Sequence, residues 1–212
     1  SDILGDFFGF GGGGGRRGGP ARGADLRFDL EIEFKQSYEG AETTIQIPRE
    51  ENCETCKGTG AAAGTTRETC PQCRGAGRII TKPCKSCHGE GRVSRERKIT
   101  VKIPAGVATG QQLRLQNEGE AGTAGGPPGH LHVVLHVQDH EYFRREGVNL
   151  FCEVPVNFTT LVLGGEIVVP TLDGNETVKV PEGTQTGTTL RVRGRGLPEV
   201  GGRGKGDLFA TV

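Results

Sequence analysis

Six of the seven cysteines in this 212-residue chain occur in pairs separated by two residues. The pairs are Cys53 and Cys56, Cys70 and Cys73, and Cys84 and Cys87. Each pair continues into the same unit, Cys-x-x-Cys-x-Gly-x-Gly, which occurs three times between residues 53 and 91. Two thiolates at this spacing can bind one zinc ion from a tight turn, and the glycines let backbone amides point at the sulfurs. The pattern predicts zinc binding, with all six cysteines as candidate ligands.

Two other classes of protein also use paired cysteines. A thiol–disulfide oxidoreductase needs a pair with a lowered thiol pKa at the start of a helix, usually in a βαβ unit, and no such unit is visible. A zinc-ribbon nucleic-acid binder needs a basic face with stacking aromatics, but 26 basic residues balance 26 acidic ones and aromatics make up 5%. Both classes stay open as alternatives. The favoured prediction is a protein that is not an enzyme and has no catalytic residue.

Segments of different composition flank the cysteines. Residues 1–24 are dominated by glycine, phenylalanine, arginine and acidic residues, which predicts a flexible linker because such a segment buries too little apolar surface to fold. Residues 25–48 alternate apolar and polar positions, the period of half-buried strands, with a turn expected near Gly40. The apolar positions of the first strand are Leu26, Phe28, Leu30, Ile32 and Phe34.

Much of the sequence occurs twice. Residues 103–106 recur 77 positions later at 180–183, and residues 26–42 recur 124 positions later at 150–166. The offset changes inside the first copy, which therefore holds 47 additional residues, and these contain the cysteines. We predict an all-β fold of two duplicated β-sandwich domains in tandem, with a cysteine-rich zinc-binding hairpin module inserted in the first. The predicted boundaries are 1–24 for the linker, 25–52 and 93–145 for the first β domain, 53–92 for the zinc module, and 146–212 for the second β domain.

Three features together resemble the bacterial DnaJ family of type I J-domain co-chaperones. These are the repeated cysteine unit, the preceding Gly/Phe-rich segment and the repeated Ile-Pro-x-Gly-x-x-x-Gly-x-x-Leu-Arg segment. The resemblance implies stacked β-sandwich domains, a zinc region projecting from the first, and a dimerisation element after the second. It also implies a co-chaperone that delivers unfolded polypeptides to a DnaK-type ATPase chaperone, acting indirectly with the nucleotide exchange factor in protein folding and heat stress. The cysteine spacing, which is that of zinc thiolates and not of a secreted disulfide framework, separately predicts a cytoplasmic protein.

The sequence departs from the family pattern in three ways. The His-Pro-Asp triplet of the J domain does not occur in it, so this chain alone is not expected to stimulate the ATPase. The sequence stops within a predicted strand, so homodimerisation is expected only of the full-length protein. The family has four cysteine repeats, of which the first pairs with the last and the middle two pair with each other, but three are present here. Carried onto this chain, the resemblance implies one complete site from Cys53, Cys56, Cys84 and Cys87, and half a site from Cys70 and Cys73.

Binding of unfolded polypeptide is the function that the resemblance favours. An extended peptide can add to a sheet edge, where main-chain hydrogen bonds ignore its sequence and apolar pockets select alternate side chains. In the family this groove lies on the first β domain. The matching positions are Leu26, Ile45 and Ile47, with Leu113, Leu115 and Phe143 as weaker candidates. The alternative is that these are ordinary core residues, which the recurrence of Leu113 and Leu115 as Leu190 and Val192 favours for that pair.

The remaining features predict no further site. The formal net charge of zero gives no field that would draw the chain to nucleic acid, and no apolar run is long enough to span a membrane. An Arg/Gly-rich stretch at 11–23 resembles RNA-binding tracts, and nucleic-acid binding stays the minor alternative to a flexible linker there. Cys152 takes the place of Phe28 in the second copy, which predicts a small core residue.

Overall fold

Strands dominate the structure, a computed structural model that describes residues 20–62, 65, 68–69, 78–123 and 125–212. The first copy and its insertion contain β1 (Leu26–Ile32), α1 (Phe34–Glu39), β2 (Ala41–Asn52), β3 (Glu68–Thr69), β4 (Arg78–Ile79), β5 (Arg92–Ile103), β6 (Gln112–Leu115) and β7 (Leu131–Val137). The rest of the chain contains β8 (Arg144–Glu146), β9 (Asn149–Glu153), α2 (Phe158–Leu163), β10 (Gly165–Thr171), β11 (Gly174–Val180), β12 (Thr189–Val192) and β13 (Leu208–Thr211).

The two sequence copies have the same strand order. In the first copy β7 lies between β1 and β6, and in the second the equivalent β13 lies between β9 and β12, with β8 added beside β9. Each copy also has a separate two-stranded pair, β2 with β5 and β10 with β11. The all-β fold of two duplicated units is therefore confirmed, and the cysteine-rich module lies between β2 and β5.

Each copy contains a short helix that the alternation did not predict. The alternation assigned Phe34 to the first strand, but the strand ends at Ile32 and Phe34 begins α1. Amides at the start of a helix have no partner within the helix. Here the amide of Glu33 donates to Oε1 of Gln36 at 3.0 Å, and this contact favours a helix start at Phe34. Gly40, with φ +79°, ends it. The sequence equivalent, α2, lies 124 positions later and ends at Gly164 in the same way.

The chain divides into two compact units. The first contains the described residues of 1–26, 48–96 and 116–131. In it Ala21 and Thr123 exchange amide-to-carbonyl hydrogen bonds of 3.1 and 2.9 Å, and the amide of Gly23 donates to the carbonyl of Pro127 at 2.9 Å. Residues 20–24, which composition assigned to the linker, are thus held by main-chain hydrogen bonds, whereas residues 1–19 lie outside the described residues.

The second unit contains residues 27–47, 97–115 and 132–212. Leu150 and Leu208, fully buried on neighbouring strands, lie in its core cluster. Truncating such a leucine to alanine typically costs about 2–5 kcal/mol. Cys152 is buried in the same cluster, which confirms its prediction as a core residue. Among the helices of the described residues, none is long and apolar enough to cross a membrane.

Candidate metal centre

Two of the three cysteine units meet in the first compact unit. We call residues 53–60 and 84–91 the first and second knuckles. The first directly follows β2, and the second precedes β5. Their four sulfurs, from Cys53, Cys56, Cys84 and Cys87, all lie within 4.8 Å of one another, and each cysteine is buried. The structure therefore brings together the four cysteines that the resemblance implies for one site. Cys70 and Cys73 lie outside the described residues.

The sulfur separations fit a tetrahedral metal centre. Sγ of Cys53 lies 3.9 Å from Sγ of Cys84, and Sγ of Cys56 lies 3.7 Å from Sγ of Cys87. A metal ion with four sulfurs at about 2.3 Å sets sulfur–sulfur edges of about 3.8 Å. A disulfide would instead require about 2.05 Å. The four cysteines are thus free thiols positioned to bind one metal ion.

The backbone behind each cysteine pair adopts the same uncommon conformation. Lys57 and His88, which follow the second cysteine of each knuckle, have positive φ values of +50° and +53°. Gly58 and Gly89 follow at +83° and +98°. Two consecutive left-handed residues turn the chain sharply, and glycine removes the steric penalty at the second of them.

This turn aims a backbone amide at a sulfur in each knuckle. The amide of Gly60 donates to Sγ of Cys56 at 3.3 Å, and the amide of Gly91 donates to Sγ of Cys87 at 3.2 Å. Such hydrogen bonds stabilise the thiolate form that a metal requires. The second glycine of each cysteine unit therefore lies four residues after the second cysteine, where its amide can donate to that sulfur.

The knuckles contact each other reciprocally. The amide of Cys53 donates to the carbonyl of Gly91, and the amide of Cys84 donates to the carbonyl of Gly60, both at 2.9 Å. All equivalent positions are 31 residues apart, and the hydroxyls of the equivalent Thr55 and Ser86 lie 3.0 Å from each other. Sequence reasoning missed these contacts, although the repeated offset of 31 was available as a signal.

The environments of the four thiols differ. The amide of Cys56 is the largest of the influences that lower the pKa of Cys53, which falls to about 7. Burial raises the pKa of Cys87 to about 11, outweighing the amides of Gly89 and Gly91 that point at its sulfur. A cation would favour the thiolate at every position, because metal binding requires deprotonated sulfur.

Ion pairs stabilise the strands that lead into the knuckles. The guanidinium of Arg49, with an 11% exposed side chain, contacts Glu118 at 2.7 Å and Glu51 at 2.9 Å. On the neighbouring strand, Arg95 contacts Glu54 at 2.7 Å. Because Arg49 is largely shielded from water, its two pairs are screened less than surface pairs.

The residues of the expected client groove lie at different depths. Ile45 and Ile47 on β2 are 4% and 3% exposed, and Phe143 is buried in the core cluster of the second unit. Leu113 and Leu115 on β6 are half-buried. Leu26 is half-buried at the start of β1 and belongs to the first unit. Their role in binding a client stays a prediction.

A family model places the whole β region and its metal centre in one known family. The model describes the DnaJ C-terminal domain, and it matches residues 26–212. The chain belongs to this family. It is similar to curated DnaJ C-terminal domain relatives that carry the name "Chaperone protein DnaJ". The relative from Halalkalibacterium halodurans is 46% identical over 100% of this chain, the one from Hyphomonas neptunium is 48% identical over 100%, and the one from Nitrosomonas europaea is 47% identical over 94%.

These DnaJ relatives are longer than this chain. The chain covers 64%, 61% and 60% of the three, which is less than two thirds of their length. The first alignment spans 240 positions against 212 residues here, a difference of 28, so that relative has residues without a counterpart in this chain.

Proposed function

We propose that this chain is the client-binding part of a DnaJ-type co-chaperone, which holds unfolded polypeptides in extended form for delivery to a DnaK-type ATPase chaperone. Membership of the DnaJ C-terminal domain family supports the chaperone role. The observation that carries the binding mode is the edge of β2. This strand has 12 residues, and β5 is its one strand neighbour among the described residues.

An edge of this kind can accept a further strand. The amides and carbonyls on the outer side of an edge strand can pair with any extended backbone. On β2 the carbonyl of Glu50 already accepts a hydrogen bond of 2.8 Å from the amide of Ala121, so a further strand would pair with the part of β2 that precedes Glu50. Successive side chains of an added strand would point alternately to the two faces of the sheet, as those of β2 do. On one side these are the exposed Glu42, Thr44 and Gln46, and on the other the buried Ile45 and Ile47. Alternate apolar side chains of a client would therefore extend the apolar side that carries the two isoleucines.

Zinc is the ion that we propose for the metal centre. Four thiolates favour borderline-soft cations over calcium or magnesium, and a closed four-sulfur site is typical of structural zinc. A bound zinc ion would join the two knuckles and compensate the charge of their thiolates. With all four ligand positions supplied by Cys53, Cys56, Cys84 and Cys87, no position stays open for a substrate. The centre thus supports a structural role.

The burial of the sulfurs argues against the oxidoreductase alternative. A catalytic thiolate has to meet a substrate disulfide, so it lies in a partly exposed environment. The four cysteines of the knuckles are 1–6% exposed. The burial of these four cysteines favours the co-chaperone function, and the alkylated sample of the second experiment tests the remaining pair, Cys70 and Cys73.

Edge addition can be tested with backbone-methylated peptides. A model client peptide with alternating apolar residues is prepared in two versions, with N-methyl groups on its even-numbered or its odd-numbered amides. Because alternate amides of an edge-bound strand face the sheet, one version should lose binding to the chain and the other should keep it. Equal affinity of both versions for the chain would contradict the proposed binding mode.

A second experiment separates the classes of function. The chain is added to a denatured client, and aggregation is followed by light scattering with and without a metal chelator and with alkylated thiols. A polypeptide-binding protein should suppress aggregation in every sample in which the second compact unit stays folded, because that unit contains Ile45 and Ile47. Activity that requires free thiols would instead support the oxidoreductase.

A further inference from the structure

The two sequence copies hold the same turn with different side chains. The turn after β6 contains Asn117, and its equivalent 77 positions later, in the turn after β12, is Gly194. The amide of Asn117 donates to Nδ1 of His130 at 3.1 Å. The amide of Gly194 donates to a carboxylate oxygen of Asp207 at 2.7 Å. Since His130 and Asp207 are also 77 positions apart, an imidazole in one copy and a carboxylate in the other accept the same hydrogen bond.

The backbone around the two turns follows the same path. Asn117 and Gly194 both have left-handed conformations, with φ +61° and +68°. The amide of Gly119 donates to the carbonyl of Gly129 at 3.1 Å, and the equivalent bond from Gly196 to Gly206 is 2.9 Å. The difference between the copies therefore lies in the side chain that accepts from the turn amide.

The two acceptors respond to pH in different ranges. The amide of Gly194 is the largest of the influences that lower the pKa of Asp207, so this carboxylate stays an acceptor well into the acid range. A histidine nitrogen accepts only while it carries no proton, and imidazoles ordinarily titrate between pH 5 and 8. Acid that leaves Asp207 ionised can thus remove the acceptor for Asn117.

A carboxylate beside His130 favours the charged ring. The amide of His130 donates to Oδ1 of Asp25 at 2.7 Å, and Asp25 is paired with Arg22 at 2.6 Å. A neighbouring anion favours an imidazolium, whereas a donor to Nδ1 favours the neutral ring. The titratable and charged groups of the elements that meet at this turn are Arg22 and Asp25 before β1, Arg49, Glu50 and Glu51 on β2, Arg114 on β6, Glu118 and Glu120 after Asn117, and His132 on β7.

Two contacts join the segment that follows Asn117 to β2. The carboxylate of Glu118 pairs with Arg49 at 2.7 Å, and the amide of Ala121 donates to the carbonyl of Glu50 at 2.8 Å. Both contacts begin within four residues of Asn117, so loss of its acceptor loosens the start of the segment that makes them. The effect reaches the end of β2 that leads into the first knuckle.

We propose that His130 is an acid-sensitive latch, whose protonation releases the turn at Asn117 in the first copy while Asp207 keeps the equivalent turn closed in the second. A proton from the solvent binds Nδ1 and takes the place of the hydrogen bond from Asn117. The imidazolium then has Asp25 as its anionic partner, and residues 117–121 open from β2. The latch is defined by the opening of a turn, so it does not depend on the client-binding proposal.

Amide hydrogen exchange followed by NMR tests the latch in the wild-type chain. The exchange rate of each amide is compared with that of an unstructured peptide at the same pH, which gives its protection. Protection of the Asn117 amide should fall at least ~tenfold between pH 7.5 and 5.5, the effect of losing one hydrogen bond. The midpoint of this fall should coincide with the titration of the His130 ring protons. Protection of the Gly194 amide should not change over this range.

Two variants provide matched controls. His130→Asp gives the first turn the acceptor of the second and should keep Asn117 protected throughout the range. His136→Gln removes an exposed histidine that lies 3.0 Å from Asp29, and it should leave the fall in protection at Asn117 unchanged. The wild-type measurement needs no substitution, so the test remains decisive if His130→Asp does not fold.

Three results would overturn the proposal. The first is constant protection of Asn117 while the ring of His130 titrates. The second is equal loss of protection at Asn117 and Gly194, which would show that acid loosens both copies alike. The third is a folded His130→Asp chain in which Asn117 keeps the acid sensitivity of the wild type.

Discussion

A Cβ atom added to Gly60 would lie 2.2 Å from the carbonyl oxygen of Gly89 in the opposing knuckle. The relationship is reciprocal, since a Cβ atom at Gly91 would lie 2.6 Å from the carbonyl oxygen of Gly58. Both distances are far shorter than van der Waals contact. The second glycine of each knuckle is therefore required by the other knuckle as well as by its own turn.

Replacing Gly60 with alanine should release the metal. The methyl group would force the knuckles apart, and sulfur–sulfur edges of about 3.8 Å could no longer be kept. Metal content after dialysis, measured on reduced protein, should fall well below that of the wild type.

Gly110→Ala is the matched control for this prediction. Gly110 also has a positive φ, +85°, but nothing lies within 4 Å of the added Cβ. It should cost about 1–2 kcal/mol of stability through the left-handed backbone and leave metal content unchanged. If both variants retain metal equally, the knuckle contact is not required for the site.

Metal stoichiometry tests the assignment of the cysteines. Six thiolates cannot complete two four-ligand sites, so reduced protein should hold one tightly bound zinc ion per chain. Cys84→Ser should lose it, whereas Cys152→Ser, which alters a core cysteine, should keep it. Thiol reagents should modify Cys70 and Cys73 much faster than the four knuckle cysteines.

Two outcomes would change this assignment. Two firmly bound ions per chain would show that further ligands complete a second site. Rapid modification of Cys53 and Cys56 would show that the pairing of first and last repeats is wrong.

Internal duplication made most of the fold predictable. The repeated segment begins at the last residue of a strand in both copies, at Ile103 of β5 and at Val180 of β11. The change of offset between the copies locates the inserted module from the sequence alone. The helices were missed because Phe34 continues the alternating pattern of the strand that precedes it. The capping contact between Glu33 and Gln36 and the break at Gly40 outweigh that pattern.

The site was predictable in composition but not in detail. Cysteine spacing identifies ligands, yet it leaves open which pairs share an ion, and the family resemblance was needed to choose. The exposure of Phe158 could not be predicted, because Phe34 is the same residue at the equivalent position and is buried. Whether such a side chain is covered depends on residues distant in sequence, here His140 and Phe143.

Replacing Asp207 with asparagine should reduce stability in a pH-dependent way. The amide of Gly194 and the guanidinium of Arg191 donate to this carboxylate, each at 2.7 Å, and these contacts, the amide first, lower its pKa in the folded state. A carboxylate with a lowered folded-state pKa stabilises the fold above its unfolded pKa, and the effect is lost as pH falls through the folded-state value.

Urea unfolding from pH 7 down to pH 3 checks this prediction. Asp207→Asn should be less stable than wild type at neutral pH, and the difference should shrink toward the acid end. Asp139→Asn, at an exposed position, should follow the wild-type curve throughout. A difference between Asp207→Asn and wild type that is constant over the range would mean that the carboxylate charge is not the cause.

Replacing Tyr38 with phenylalanine should destabilise the second compact unit. The hydroxyl donates to Asp173, with 2.8 Å to each carboxylate oxygen, and accepts a hydrogen bond of 2.9 Å from Nζ of Lys205. The same contact raises the pKa of Lys205. Because Tyr38 is 7% exposed, water cannot fully replace its hydroxyl, and the loss should cost about 1–3 kcal/mol in urea unfolding. Tyr142→Phe, at a 65% exposed site, should change stability by less than about 0.5 kcal/mol. Equal effects of the two substitutions would show that the buried hydroxyl contributes no more than a surface one.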